Sequence, residues 1–252
     1  MVSRLGLCMR LDGAVKCYDE VGQEEIMIVS ASRFTFTPYQ HDGFSGQLYI
    51  AEAKRFPKLL VKSNGSAVDE YYGHHLASLL GVSTPRTYFI SDGDLAMVGI
   101  EYFEGSETAH FTPDDNPYEL AVSSAMYCIG GKNDNYQALK HNGHWFTIDY
   151  DECFGMTNYN AFALAVAGQK CSLPEEINLN FEQEMRDNAP FLSDTVIQKN
   201  AVKVLEKLSS IDIDEWENEN HEIGRYMGVE FLKYYRSFTE LVIDASQKKL
   251  ST

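Results

Sequence analysis

The sequence contains few cysteines, and they do not form a recognisable pattern. Five occur in 252 residues, and no two are spaced as CxxC: Cys8, Cys17, Cys128, Cys153 and Cys171. This spacing disfavours a zinc site or a disulfide framework and favours free, buried thiols. The sequence also lacks a run of about 18 apolar residues, the length that a membrane span needs. Because residues 1–7 lack the long apolar stretch of a secretory signal, we expect a cytoplasmic protein.

Basic residues are scarce. The chain has 21 Lys and Arg against 37 Asp and Glu, for a formal net charge of -16. Such a field repels phosphate backbones and anionic membrane surfaces, so we expect neither nucleic acid nor a lipid bilayer as a partner. A nucleotide is also an anion. Any nucleotide site here must therefore supply local positive charge from a lysine, a metal ion or backbone N–H groups.

Several motifs that assign a function directly are missing. GxGxxG and GxxxxGK[ST] are absent, so a Rossmann or Walker-type nucleotide site has no support. GxSxG, HExxH and HRD are absent as well. What is present is an ordinary globular composition, with 44% hydrophobic and 23% charged residues. The chain can therefore form one large domain or a two-lobed fold.

Residues 1–103 read as short strands that alternate apolar and polar residues, interrupted by one helix from about Ala67 to Leu80, which Gly81 ends. The strands are predicted at Glu25–Val29, Arg33–Thr37, Gln47–Ala51, Lys58–Lys62, Thr87–Ile90 and Met97–Phe103.

Residues 104–252 read as mostly helical. Pro117 opens a helix that runs to about Ile129, and a polar loop then leads into a hairpin over 137–140 and 144–150. Further helices are predicted near 175–188, 193–208 and 220–247. The fold class is therefore α+β and bilobal, with a small antiparallel β lobe carrying one helix over 1–103 and a larger helical lobe with a β-hairpin over 104–252.

Lys62 ends a predicted strand, and Glu70 falls on the helix that follows eight residues later. A strand lysine held by a helix carboxylate can fix an ammonium group against nucleotide phosphates. The alternative is a surface lysine and a solvated glutamate. Two adjacent histidines on the same helix, His74 and His75, point in different directions, so we interpret them as packing or solvent-facing residues and not as a metal site.

The stretch LLVKSNGSAVDEYYGHHLASLLGVSTPRTYFI resembles the small-lobe core of HipA-type serine/threonine kinases and of phosphatidylinositol 3-/4-kinase-like proteins, which share a protein-kinase-like fold. The resemblance extends over roughly residues 40–155. It implies that Lys62 contacts ATP phosphates and that Glu70 holds Lys62. The stretch Asp42–Gln47 resembles the phosphate loop of these kinases, which implies that Gly43, Ser45 and Gly46 lie near the phosphates. From the residues alone, this stretch is equally an ordinary hairpin turn.

Further matches follow from the same resemblance. The segment 98–103 resembles the strand that enters the adenine-binding hinge, so backbone groups of Glu101, Tyr102 and Phe103 are implied to pair with adenine. Gly130–Tyr136 resembles a catalytic loop of the type GNxDxHxxN, which assigns Asp134 to the acceptor hydroxyl. The metal-binding asparagine expected five residues after Asp134 is Leu139, so Asn135 or Gln137 would have to supply an amide oxygen.

The sequence WFTIDYDECFG contains the candidate metal-binding aspartate. A phosphatidylinositol-kinase-like alignment points to Asp149, and a HipA-like alignment points to Asp151, which is slightly preferred. Magnesium prefers such oxygen ligands. The alternative is a strand end that carries acidic side chains without a metal-binding role.

These features together predict an ATP- and Mg2+-dependent phosphotransferase. A protein serine or threonine is the expected acceptor, because the acidity of the chain disfavours lipid acceptors at anionic membranes. A pseudokinase or nucleotide-binding regulatory module stays open, as do a HipA-like toxin or phage-encoded interaction protein, and a lipid or small-molecule kinase. The expected partners are the nucleotide and a protein substrate or regulatory partner.

Overall fold

The computed structural model describes residues 9–11, 14–18, 24–39, 48–62, 67–92, 95–104, 110–131, 138–150, 153–154 and 173–252. The described residues form two compact units. One comprises Met1–Ala67 and Pro85–Phe103, and the other comprises Val68–Thr84 and Glu104–Thr252. The predicted mixed α+β class is confirmed.

The first unit contains one eight-stranded sheet. Its strands are β1 (Met9–Leu11), β2 (Ala14–Tyr18), β3 (Glu24–Ser30), β4 (Thr35–Tyr39), β5 (Leu48–Glu52), β6 (Leu59–Lys62), β7 (Thr87–Asp92) and β8 (Leu95–Glu101). They are ordered β1-β2-β3-β7-β8-β6-β5-β4. β3 pairs with β7 in parallel, and the other neighbouring strands pair antiparallel. The prediction of an antiparallel lobe is therefore wrong at the β3–β7 pair, which joins strands that are far apart in sequence and are not linked by a hairpin.

Apolar packing forms the core of this unit. Leu59 and Val61 of β6 are fully buried and cluster with Val29 and Ile90. Around them lie the aromatic rings of Phe34, Phe36, Tyr49, Phe56 and Tyr88, with neighbouring centroids 5.2–6.1 Å apart. The predicted strand at Arg33 starts later than expected, because residues Ala31–Arg33 form a 3-10 turn that precedes β4.

The described residues of the second unit form helices and one hairpin. Its elements are α1 (Ala67–Leu79), α2 (Pro117–Gly130), β9 (Ala138–His141), β10 (His144–Thr147), α3 (Phe181–Asn188), α4 (Asp194–Ser209), α5 (Ile213–Met227) and α6 (Val229–Leu250). Side-chain caps explain several of the helix starts. Asn116 accepts from the Tyr118 N–H ahead of α2, and Ser193 accepts from the Val196 N–H at the start of α4. No helix in the described part of the chain is both long and apolar enough to cross a membrane.

The helix predicted over 220–247 is wrong in both its start and its continuity. It is two helices, α5 and α6, separated by Gly228, whose φ of 103° and ψ of 140° suit glycine and interrupt a helix. α5 begins at Ile213 because Asp212 accepts hydrogen bonds from the N–H groups of Asp214 and Glu215.

The contacts of α1 group most of this helix with the second unit, which differs from the predicted division at residue 103. The prediction places the whole helix with the first 103 residues, whereas Val68–Thr84 groups with the second unit. The physical reason is a set of hydrogen bonds within that unit. The Tyr118 hydroxyl donates to the Leu80 carbonyl at 2.6 Å, and Lys207 Nζ donates to the same oxygen at 3.0 Å.

Two cysteines with described side chains, Cys128 and Cys153, are buried free thiols, as predicted for the cysteines of this chain. Burial raises the pKa of the Cys128 thiol to about 12. A thiol with such a pKa is protonated at neutral pH, so Cys128 is a packing residue of the second unit.

Candidate functional site

One face of α1 carries Glu70, Gly73 and His74, which are spaced as neighbours on a helix surface. The side chains of Glu70 and His74 are each 1% exposed, and Glu70 Oε1 lies 3.0 Å from His74 Nε2. Because an ionised carboxylate can only accept, the histidine Nε2 carries the shared hydrogen. A buried carboxylate with a specific donor is therefore built into the first turns of α1.

Tyr150 lies against this face of α1. Its backbone N–H donates to Glu70 Oε2 at 2.8 Å. Its ring meets His74 edge-on, with centroids 5.0 Å apart and planes at 84°. A Cβ added to Gly73 would lie 2.3 Å from Tyr150 Cγ, so the close approach requires glycine at this position. Three residues of α1 thus hold one residue of the segment that follows β10.

Asp149 directly precedes Tyr150 and adopts a left-handed backbone conformation with φ of 69°. Aspartate tolerates this region better than most residues, but the conformation is uncommon outside glycine and clusters at functional sites. The prediction of a strand running to Tyr150 is wrong, because β10 ends at Thr147 and the chain turns at Asp149. Asp149 is half-buried and directly precedes the residue whose N–H is bound by Glu70.

The chain after Tyr150 is fastened at a second point. The Cys153 N–H donates to the Tyr150 carbonyl at 3.2 Å, and the Phe154 N–H donates to the Gly130 carbonyl at 3.0 Å. Phe154 is fully buried, and its carbonyl accepts from the Tyr234 hydroxyl at 2.8 Å. Asp149 therefore lies on a segment that is fixed to α1 on one side and to α2 and α6 on the other.

The opposite side of α1 is anchored on α6. The Tyr235 hydroxyl donates to the buried Asp69 carboxylate, and the hydroxyls of Tyr72 and Thr239 lie 2.8 Å apart. Burial and the nearby Asp69 charge raise the pKa of Tyr235 well above 10, so its hydroxyl keeps the proton that it donates. The adjacent acidic residues Asp69 and Glu70 thus bind two different parts of the second unit.

Residues 132–137 connect α2 to the β9–β10 hairpin. Two buried carboxylates, Glu119 of α2 and Asp115 just before it, join α2 to this hairpin. Glu119 accepts from the Trp145 N–H at 2.9 Å, and its other oxygen lies 2.9 Å from His144 Nδ1. Asp115 accepts from Thr112 and from Lys140. Burial acts to raise the pKa of Asp115, but the hydrogen bonds from Lys140 and Thr112 outweigh it and lower the pKa below its usual value.

Lys62 lies in the first unit, at the end of β6, and is 3% exposed. In the sheet it is opposite Val98 of β8 and Leu48 of β5. Leu48 is itself opposite Tyr39 of β4, so residues 40–47 connect two paired strands next to the strand of Lys62. A buried ammonium is uncommon in a sheet core and needs a functional or structural partner.

The backbone donors of the predicted adenine-binding segment are partly engaged in the sheet. The Glu101 N–H donates to the Arg86 carbonyl at 2.8 Å, and the Tyr102 N–H donates to the Lys58 carbonyl at 2.8 Å. The pairing of adenine with backbone groups of Glu101, Tyr102 and Phe103 stays a prediction. The Tyr102 ring also packs against Tyr39, with centroids 5.9 Å apart.

Of the predicted site residues, the structure brings together Glu70 and the Asp149–Tyr150 segment in the second unit. Lys62 belongs to the first unit, so its pairing with Glu70 stays a prediction. The remaining predicted residues lie outside the described residues: Gly43, Ser45, Gly46, Asp134, Asn135, Gln137 and Asp151.

Sequence reasoning missed the contribution of Gly73, His74 and Tyr150. The interpretation of His74 and His75 as residues that point in different directions is confirmed, since His75 stacks on Tyr71 while His74 contacts Glu70. A usable signal was the spacing of Glu70, Gly73 and His74, which puts a carboxylate, an imidazole and a bare backbone on one helix face. Within the described part of the chain, no cluster of three or more His, Cys, Asp or Glu side chains could hold a metal ion.

The fold is similar to that of a solved kinase. A search of solved structures finds the Helicobacter pylori proinflammatory kinase CtkA, with a TM-score of 0.52 and 12% sequence identity. The alignment covers 86% of this chain and 95% of that one. No protein-family model and no curated protein matches the sequence. The likeness is therefore one of fold, and the function has to be argued from the site.

Proposed function

We propose that the chain is an ATP- and Mg2+-dependent phosphotransferase, of the HipA-like type, that modifies a serine or threonine hydroxyl of a protein. The observation that carries the proposal is the fixed segment at Asp149. An aspartate in a left-handed conformation is followed by a residue whose N–H is held by a buried helix glutamate. This occurs in a fold similar to that of a kinase. Phosphoryl transfer depends mainly on such positioning and on electrostatics.

The Asp149 carboxylate is proposed as a ligand of a magnesium ion. Carboxylate oxygen is a hard ligand of the kind that Mg2+ prefers, and this ion usually keeps several waters beside one or two carboxylates. When bound, magnesium would neutralise charge on the nucleotide phosphates. Both candidate ligands, Asp149 and Asp151, adjoin Tyr150, and Asp149 is the one whose backbone the described contacts fix.

Lys62 is proposed to bind the nucleotide phosphates. It ends a strand beside the connection of residues 40–47, and its burial lowers the dielectric constant around its charge. An ammonium in such surroundings attracts phosphate more strongly than a solvated one. A chain with a net charge of -16 needs a local cation of this kind to bind a nucleotide.

Asp134 is proposed to orient or deprotonate the acceptor hydroxyl. The elements on either side of its loop are held together by Glu119, as the contacts to Trp145 and His144 describe. Proton transfer by a positioned carboxylate contributes about 10^2–10^4-fold to a rate. The loss expected on removing Asp134 is therefore within this range.

The test is incubation of the purified chain with ATP labelled at the γ-phosphate, Mg2+ and a panel of basic and acidic protein acceptors. Variants Lys62→Met, Asp134→Asn and Asp149→Asn are expected to lose transfer by about 100-fold or more, and EDTA is expected to abolish it. Matched controls are Lys54→Met and Asp114→Asn, since both side chains are exposed. The proposal would be contradicted if Asp149→Asn transferred phosphate at the rate of the wild type, or if the wild type bound no nucleotide.

A second candidate function is a nucleotide-binding regulatory module without turnover. The observation in its favour is Leu139, which occupies the expected position of a metal-binding asparagine and lies on β9 opposite Phe146. An apolar side chain on a strand supplies no metal ligand. ATP-dependent thermal stabilisation that Lys62→Met removes, together with no transfer over hours to any acceptor in the panel, would select this function.

A further inference from the structure

The buried imidazole of His74 has no assigned role in phosphoryl transfer, and its contacts give it one. We propose that His74 is a positioning residue that fixes the Glu70 carboxylate and, through it, the backbone of Asp149. The inference rests on the proposed function only where it concerns turnover. Its structural part concerns residues of the second unit alone.

Each oxygen of Glu70 has its own donor. Oε1 is 3.0 Å from His74 Nε2, and Oε2 accepts the Tyr150 N–H at 2.8 Å. Two donors attached to different elements define the rotation of a carboxylate about its last bond, whereas one donor does not. Removing the His74 hydrogen bond would take away one constraint on the Glu70 carboxylate and would weaken the hydrogen bond to Tyr150.

Packing alone does not explain a histidine at this position. The side chain is 1% exposed, and its Nδ1 has no hydrogen-bond partner among the described residues. A buried nitrogen without a partner is unfavourable, and an aliphatic side chain of similar volume would avoid it. The polar contact that His74 makes in exchange is the one to Glu70. The His74 ring also packs edge-on against the Tyr150 ring, so His74 contacts both partners of the Glu70–Tyr150 hydrogen bond.

The consequence reaches Asp149 through one peptide unit. A left-handed backbone in a residue other than glycine persists only where its surroundings hold it. The surroundings of Asp149 include the Tyr150 N–H bound to Glu70 and the ring of Tyr150 against Gly73. When the Glu70 carboxylate is less firmly positioned, the backbone at Asp149 is less constrained, and its carboxylate can change direction. Loss of His74 should therefore reduce turnover more than nucleotide binding.

The first experiment is hydrogen exchange of the Tyr150 amide in the full chain without nucleotide. His74→Leu removes the donor and approximately retains the volume, and it is expected to increase exchange about tenfold or more. His74→Gln can present an amide N–H in place of Nε2 and is expected to restore protection. His75→Leu, the same change on the neighbouring histidine that faces away, is expected to leave Tyr150 protected.

If His74→Leu does not fold, His74→Asn replaces it, because its shorter side chain does not reach Glu70 and should give the same fast exchange. A folded His74→Leu or His74→Asn with wild-type protection at Tyr150 would overturn the proposal. So would equally fast exchange in His74→Gln.

The second experiment measures transfer and nucleotide affinity separately. His74→Leu is expected to lower kcat about tenfold or more while the Kd for ATP changes less than about threefold, and His74→Gln is expected to recover most of the rate. A uniform fall in kcat for both variants would overturn the role in turnover. A wild type without transfer activity would refute the proposed function, and the exchange data would still decide whether His74 positions Glu70.

Discussion

The two units of the chain bury polar groups very differently. Among the residues with described burial in the first unit, Lys62 is the buried charged or polar side chain. Those of the second unit are Asp69, Glu70, His74, Asp115, Glu119, Ser123, Ser124, Thr147, Asn220, Thr239 and Ser246. The first unit is therefore held by its strand ladder and apolar packing, and the second is also held by specific buried hydrogen bonds.

This difference indicates where precise geometry is required. Apolar packing tolerates changes that conserve volume, whereas a buried carboxylate keeps its stability only with its donors in place. The candidate residues Glu70 and Asp149 lie where such bonds fix the chain, and Lys62 is the exception within an apolar sheet. We expect mutations of buried apolar residues to dominate the stability of the first unit and mutations of single polar atoms to affect the second.

The largest effect is expected for Leu59→Ala in the first unit. Leu59 is fully buried, and its Cδ1 would lie 2.9 Å from a Cβ added to Gly99, so the strands pack tightly around it. Truncation should lower the free energy of unfolding by about 2–5 kcal/mol through lost burial and a residual cavity. Urea unfolding followed by circular dichroism measures it. The control Leu250→Ala, at a 39% exposed position, should change stability by about 0.5 kcal/mol or less. A loss at Leu59 as small as that of the control would remove the contrast between the units.

A smaller effect is expected from deleting one hydroxyl in the second unit. Tyr235→Phe leaves the buried Asp69 carboxylate without the hydroxyl donor and should cost about 1.5–3 kcal/mol. Tyr234→Phe is the matched control, because its hydroxyl donates to the neutral carbonyl of Phe154, and it should cost about 1 kcal/mol. Urea unfolding of both variants gives the difference. Equal losses would show that the charge of the acceptor does not matter here.

The sequence was most informative where local patterns decide structure. Alternating residues predicted β6, and the Pro117 start with the Asn116 cap agrees with α2 as observed. The break between α5 and α6 was missed because apolar positions continue at helical spacing across Gly228, and only the backbone φ of 103° reveals the interruption. The start of α5, which the Asp212 cap sets at Ile213, was also predicted too late.

Sequence reasoning selected single candidate residues but not their arrangement. Lys62, Glu70, Asp149 and Asp151 were selected from spacing and resemblance. The hydrogen bond from Tyr150 to Glu70 joins residues 80 positions apart, and no local pattern encodes it. The same holds for the bond from Tyr235 to Asp69, which groups α1 with the second unit across 166 positions. Long-range contacts of this kind depend on how the helices pack, which periodicity does not specify.

The smallest expected effect is a pH dependence that tests the second unit through His75. Burial lowers the pKa of His75 to about 4, and its Nε2 lies 3.2 Å from the Asn220 side-chain amide, which donates to the neutral ring. The unfolded chain takes up this proton near pH 6.5 and the folded chain does not, so stability should fall as the pH drops from about 6.5 towards 4. Glu219, whose Oε2 is 3.9 Å from Nε2, favours the charged ring and limits the fall. We expect the contribution to be about 1–2 kcal/mol between pH 7 and pH 5.

Urea unfolding at these two pH values should show a flatter dependence for His75→Gln. His110→Gln, at an exposed histidine, should follow the wild type. An unchanged dependence in His75→Gln would mean that the buried carboxylates, and not this histidine, set the acid sensitivity of the second unit.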